Sequence, residues 1–243
     1  MRHNAITPPR RLNSNDLFFW GLYSAGKIRE LAMRKADWFF DFISPYAYLQ
    51  FHQLNRLPAD IDLRFRPVLF AGLLNHWGQL GPAEILGKKR HTFLLTRWRA
   101  QKQDLPFRAP PRHPFNPLSL LRLALALNSD RKVVGAIFDH VWAKGRDGQD
   151  LGILQRLAQT LDVPDLAAAT GDPSVKEALR KNTEEAVQHG IYGVPSFLIS
   201  DQIFWGDDMF DLMLEWLNNP SILDDPEVHR IMSLPSAAER KIK

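Results

Sequence analysis

Three short stretches of this chain hold residue types that could do chemistry together: Ser44-Pro45-Tyr46, Gly193-Val194-Pro195 and Trp205-Gly206-Asp207-Asp208. Ser44 supplies a hydroxyl, and Pro45 marks a helix start, because serine is a favoured N-cap and proline fits the first helical position. A hydroxyl at the positive end of a helix can donate a hydrogen bond to an anion held there. A serine before a helix usually does no more than cap it, and no Gly-x-Ser-x-Gly elbow surrounds Ser44, so a Ser-His-Asp hydrolase does not fit. Asp207 and Asp208 admit an equally plain reading as an acidic N-cap pair, and Pro195 as a proline tolerated at a strand start. The chain has no cysteine, which removes disulfides, thiolate–metal sites and any thiol nucleophile of its own. Its eight histidines show no metal-ligand spacing such as His-Glu-x-x-His, and no glycine-rich phosphate loop is present.

The elements that must position these residues are legible around them. The aromatic run from Trp38 to Phe42 suits a buried strand that delivers Ser44 to a helix running from Pro45 to about Arg56. Ile61 to Arg66 alternates apolar and polar residues and predicts a second strand, so the three elements form a βαβ unit. From Leu69 to about Gly190 the signals are almost all helical. Glu84 to Gln103 reads as a helix pair or a helix interrupted near Gly87. Asn116-Pro117 caps a helix over Leu118 to Leu127, and Asp130 caps another with an apolar stripe from Val133 to Trp142. Helices over Leu151 to Leu161 and Asp165 to Thr170 follow, and Ser174-Val175-Lys176-Glu177 reads as a capping box opening a helix that Gly190 closes. Val194 to Ile199 then predicts a strand and Ile203 to Trp205 its antiparallel partner. Gly206-Asp207-Asp208 caps a last helix, Met209 to Leu217, and the tail from Ser221 is peripheral.

In this order, the segments FDFISPYAYL, RPVLFAGLLNHWGQLGP, HPFNPL, YGVPSF and FWGDD resemble the 2-hydroxychromene-2-carboxylate isomerase family. These are relatives of the kappa-class glutathione transferases within the DsbA-like thioredoxin superfamily. The resemblance covers about Ala36 to Asn219. It implies an α/β fold: a thioredoxin-like domain over 36–70 and 191–219, interrupted by an all-helical insertion over 71–190. An extension over 1–35 and a tail over 220–243 flank it. It also implies glutathione as cofactor. Ser44 stands where the reactive cysteine of a thioredoxin-like site would be, and as the catalytic residue it would hydrogen-bond the glutathione thiolate rather than exchange disulfides. Pro195 is expected to be cis, with Val194 pairing to the cysteinyl backbone. Trp205, Gly206, Asp207 and Asp208 would take the γ-glutamyl end, and Lys88 and Gln79 the other wall. Asn116 and Tyr46 would line the second-substrate pocket. Three departures stand out: Asp207 replaces a Ser or Asn, Gln79 a shorter Asn, and Gly87 a proline before Lys88.

The activity so implied is a glutathione-dependent isomerisation, by thiolate addition to an unsaturated α-keto acid, bond rotation and elimination. A kappa-like transferase or oxidoreductase fits the same residues, and so does a non-catalytic thiol- or peptide-binding protein. The expected partners are glutathione and a small-molecule substrate in the cytoplasm, with a homodimer open, and neither nucleic acid nor membrane. Charge supports the exclusion of nucleic acid. The net charge is +4, but residues 1–36 hold seven Lys/Arg against two acids, leaving 24 against 25 in the rest. At 243 residues and 45% hydrophobic content, with no apolar run of membrane-spanning length, the chain suits one well-packed core with an insertion, or two small domains. The basic leader admits a mitochondrial-type presequence, but Met33-Arg34-Lys35-Ala36-Asp37-Trp38 resembles the ordinary start of such isomerases. We take Met33 as the natural start and the leader as dispensable.

Overall fold

The computed structural model describes residues 33–237, so the leader over 1–32 lies outside the described residues. Strand β1 (Arg34–Phe40) is the centre of the fold. It pairs in parallel with β2 (Ile61–Pro67) and antiparallel with β3 (Ser196–Ile199), which pairs antiparallel with β4 (Gln202–Trp205), giving the order β2-β1-β3-β4. β1 begins four residues before the aromatic run. Its polar start is held across the sheet by Arg34 with Asp60 at 2.8 Å and by Arg64 with Asp37 at 2.7 Å. β3 begins at Ser196 rather than Val194.

Helix α1 (Pro45–Gln53) crosses from β1 to β2 and tightens into a 3₁₀ turn at Leu54–Arg56. The helical block follows: α2 (Phe70–Trp77), α3 (Leu86–Lys102), α4 (Leu118–Ala126), α5 (Arg131–Phe138), α6 (Leu151–Gln159), α7 (Leu166–Gly171) and α8 (Pro173–Gln188). A π turn, Asp139–Ala143, extends α5. After β4 come α9 (Phe210–Asn218), a 3₁₀ turn at Pro220–Leu223 and the exposed α10 (Pro226–Met232), so the described tail is partly helical.

Two expected breaks move. The chain is interrupted at Ile85, which is extended (φ −110°, ψ 112°), and Gly87 lies inside a continuous α3. Helix α8 opens two residues early: the Asp172 carboxylate accepts the Ser174 N–H at 2.7 Å with Pro173 in the first turn. An Asp-Pro start outcompetes the downstream capping box because it satisfies an orphan N–H sooner.

The larger of two apolar clusters runs through sheet and helical block. It joins Trp38, Phe40 and Phe197 of the sheet to Leu120, Leu121, Phe138 and Trp142 of the helices. Trp38 stacks on Phe40 with ring centroids 4.5 Å apart, and Phe138 lies 4.7 Å from Phe42. Each such pair adds about 0.5–1.5 kcal/mol beyond the area it buries. Gly135 leaves room for Phe51, whose Cζ would stand 2.9 Å from a Cβ there.

Candidate active site

The end of β1 turns sharply to present Ser44. The Asp41 carbonyl accepts the Ser44 N–H at 3.1 Å, and the Asp41 carboxylate accepts the N–H groups of Ile43 at 3.0 Å and Phe70 at 2.9 Å. Ser44 is extended (φ −89°, ψ 116°), and its Oγ accepts the Ala47 N–H at 3.2 Å, which makes it the cap of α1. The same hydroxyl lies 3.5 Å from the Val194 carbonyl, to which it can donate. The Val194–Pro195 bond is cis, as expected from sequence. Two side-chain bonds fix the loop bearing that proline: Trp77 Nε1 donates to the Ile191 carbonyl at 2.9 Å, and Ser196 Oγ to the Gly193 carbonyl at 2.8 Å.

Two adjoining cavities meet here. A polar groove of about 530 Å³ is lined by Gln79, Lys88, Tyr46, Val194, Pro195, Trp205, Gly206, Asp207 and Asp208, so one concave surface holds all eight predicted glutathione-binding residues. Gly193 and Gly206 shape its floor. A Cβ on Gly193 would sit 2.3 Å from Trp205 Nε1, and Gly206 has φ +95°, a backbone that favours glycine. Ser44 does not line this groove. It opens into a largely apolar cavity of about 570 Å³ with Asp41, Lys89, Phe93, His113 and Asn116, and Tyr46, Gln79 and Val194 line both.

The acidic pair does not cap α9. Met209 holds the cap position without a side-chain bond, because Asp207 turns inward. Its carboxylate is paired with Arg99 Nη1 at 2.7 Å and accepts from Gln53 Nε2 at 3.0 Å. Burial pushes the Asp207 carboxyl above the usual range despite Arg99. Asp208 remains exposed, with no ion-pair partner among the described residues. The loop is tied to the core by Gln50, which takes the Trp38 indole N–H at 2.7 Å and donates to the Gly206 carbonyl at 3.0 Å.

In the apolar cavity Asn116 caps α4 in effect, its Oδ1 accepting the Leu118 N–H at 3.1 Å. His113, in the second cis X-Pro bond of the structure, has Nε2 2.9 Å from the Ile43 carbonyl. A carbonyl can only accept, so Nε2 carries the proton and neutral His113 keeps a bare Nδ1, which is buried without a partner. Burial holds His113 below the ordinary histidine range, and Lys89, whose Nζ donates to the His113 carbonyl, adds to this. Asp41 is fully buried, which raises its carboxyl to about 7 against the pull of its backbone donors. Sequence reasoning missed Asp41, Arg99, Gln50, Gln53 and His113. Of these only Asp41, three residues before Ser44, had a local signal; the others act across more than a hundred residues or across loops.

The family model describing a DsbA-like thioredoxin domain matches residues 35–218. The chain is 29% identical over 189 residues to a 2-hydroxychromene-2-carboxylate isomerase of Sphingobium xenophagum, covering 74% of this chain and 96% of that one. It is 27% identical over 205 residues to a glutathione S-transferase kappa 2 of Caenorhabditis elegans, covering 75% and 91%. A solved 2-hydroxychromene-2-carboxylate isomerase structure superposes with a TM-score of 0.65 at 21% identity, over 80% of this chain and 98% of that chain.

Proposed function

We propose, from the premise that this chain belongs to the family of DsbA-like thioredoxin domains, that it is a glutathione-dependent isomerase of the 2-hydroxychromene-2-carboxylate type. One observation carries the reading. A hydroxyl at a helix N-terminus, beside a cis-proline loop, lines an apolar cavity that adjoins a polar groove, in a chain that has no cysteine. The thiol this fold ordinarily uses must then be brought in.

The groove suits a zwitterionic thiol peptide. With Asp207 neutralised by Arg99, Asp208 is the free carboxylate at one end, suited to an ammonium, and Lys88 lies on the α3 wall, suited to a carboxylate. Trp205 and Val194 would flank the peptide between them. Bound glutathione would supply a thiolate nucleophile able to add to, and leave, a conjugated double bond. Ser44 donates a hydrogen bond to that thiolate, worth about 1.5–3 kcal/mol when charge-assisted, and the α1 N-terminus favours negative charge at the same place. The Asp41 carboxylate holds the turn that aims Ser44. In the apolar cavity Lys89 and Asn116 offer a cation and an amide to a substrate carboxylate, while Phe93 and Phe115 exclude water.

The kappa-type relative supports a second reading, a transferase with the same thiolate site. Incubation with glutathione and 2-hydroxychromene-2-carboxylate, followed by ultraviolet absorbance, separates the two. Glutathione-dependent interconversion without loss of thiol is expected. A stable adduct overturns isomerisation in favour of transfer. Glutathione binding without turnover reduces the protein to a thiol-binding module.

A further inference from the structure

The helical block carries a third concave site that shares no lining residue with the groove or the apolar cavity. It is a pocket of about 280 Å³ whose walls include His140, Lys144, Arg146 and Arg156, with Ile153 and Leu157 as apolar sides. The π turn builds it. Its wide bond, from the Lys144 N–H to the Asp139 carbonyl at 2.8 Å, and the following bond from the Arg146 N–H to the His140 carbonyl at 3.0 Å, fold Lys144 and Arg146 back around His140. Gly145, with φ +61°, allows the bend. Arg156 reaches the same pocket from α6. Such π turns in α-helices are frequent at functional sites.

The charges are unbalanced. None of the three cations has a carboxylate partner among the described residues, and the acids nearest in sequence are engaged elsewhere. Asp139 lies 3.5 Å from His52, Asp147 is paired with Arg112 at 3.0 Å, and Asp150 caps α6 by accepting the Ile153 N–H at 2.9 Å. The imidazole behind the cations is 8% exposed, and its Nε2 is buried without a hydrogen-bond partner. Three like charges converging on one small pocket, with an unsatisfied ring nitrogen and no acid facing them, are arranged for an anion to be supplied from outside.

We propose that this pocket binds a compact phosphate-class oxyanion, free phosphate or the phosphate of a monoester, held by Lys144, Arg146 and Arg156 with His140 behind them. The pocket has room for one phosphate group, and Ile153 and Leu157 give an ester's organic group an apolar surface to lie on. Burial, then Lys144, Arg146 and Arg156, hold His140 down at about 4. A dianion there favours the imidazolium, so binding takes up a proton and tightens as pH falls.

Calorimetric titration of the full chain tests this with inorganic phosphate, phenyl phosphate and sulfate. Saturable binding at one site is expected, weakened about tenfold or more in Arg156→Gln and further in the Arg146→Gln/Arg156→Gln double variant. Arg146 and Arg156 are exposed, so both variants should fold. Equal affinity for the two phosphates supports the site as one for free phosphate, and tighter phenyl phosphate as one for a monoester. Sulfate, whose charge is constant near neutrality, should bind more tightly at about pH 6 than at about pH 8. No saturable binding, or binding unchanged in the double variant, overturns the proposal and leaves the cluster a solvated basic face.

Discussion

The Ser44 hydroxyl has two partners, and only the Val194 carbonyl must be given up for its proton to turn toward a thiolate. At 3.5 Å that bond is long enough for the switch to cost little. Capping and thiolate stabilisation can therefore be separated. Ser44→Ala should cost about 0.5–2 kcal/mol of stability and Ser44→Gly only a few tenths, yet both should raise the thiol pKa of bound glutathione by roughly one to two units. Titration of thiolate absorbance against pH reads this out, and an unmoved midpoint in Ser44→Gly would assign the work to the helix terminus. Asp41 makes a second prediction. Its folded value of about 7 lies above the ordinary 3.8, so between about pH 4 and about pH 7 the folded chain holds a proton that the unfolded chain has released. Its contribution to stability therefore falls as pH rises through that window, by up to about 4 kcal/mol at 1.4 kcal/mol per unit. His113 and His140 are held low and act with the opposite sign, but they are common to wild type and Asp41→Asn. Urea unfolding of both proteins across pH should give a stability difference that shifts against wild type from about pH 4 to about pH 7 and then levels. Parallel curves would deny Asp41 its raised value.

Where two elements meet far from each other in sequence, local pattern gives out, and Arg99 shows why. The periodicity of α3 marks a helix and the doubled acid after β4 reads as a cap, but neither says that Arg99 and Asp207 meet at 2.7 Å across 108 residues. The positions of Ser44, Pro195 and Gly206 were legible because each sits at an element boundary: a serine before Pro45, a proline before β3, a glycine after β4. The misread points share a cause. At Asp172 and Asp207 a competing partner lay within a few residues or across the fold, and composition cannot rank such partners. The Arg99–Asp207 pair should behave as a unit joining α3 to the β4–α9 loop. Arg99→Gln leaves a carboxylate buried without its cation, an effect of about 3–5 kcal/mol in buried pairs, moderated here because Asp207 is already inclined to take a proton. The Arg99→Gln/Asp207→Asn double variant should recover much of the loss. Thermal unfolding of the two singles and the double gives the coupling, and additive losses would mean that the pair does not act as a unit. A higher glutathione concentration at half-saturation is expected in Arg99→Gln as well, since an unpaired Asp207 then repels the carboxylate that glutathione carries beside its ammonium.

At the scale of the whole molecule, the sequence divides where the packing does not. The motifs suggest a thioredoxin-like domain split by a helical insertion, and in the order β2-β1-β3-β4 the strand β3, from the far end of the chain, lies directly beside β1. Yet the described residues from Arg34 onward form one compact unit, and the larger core cluster takes buried side chains from both parts. The reason lies in β1 and α5. Trp38 and Phe40 of the first meet Phe138 of the second at 6.1 and 5.7 Å, and Trp142 donates its indole N–H to the Phe42 carbonyl at 2.9 Å. Neither part could keep these aromatics dry alone, because removing the other would expose a face of several large side chains, each worth about 1.5–3 kcal/mol of burial. Equilibrium unfolding in urea should therefore be a single transition for sheet and helices together. Tryptophan fluorescence, which senses Trp38 in the sheet and Trp142 in the helical block, and far-ultraviolet circular dichroism should give coincident curves with one midpoint. Glutathione should move that midpoint upward for both probes equally, because the groove is walled by α3 of the block and by the β4–α9 loop of the sheet half. Separate midpoints, or a glutathione shift in one probe alone, would show two cooperative units with the site at their boundary.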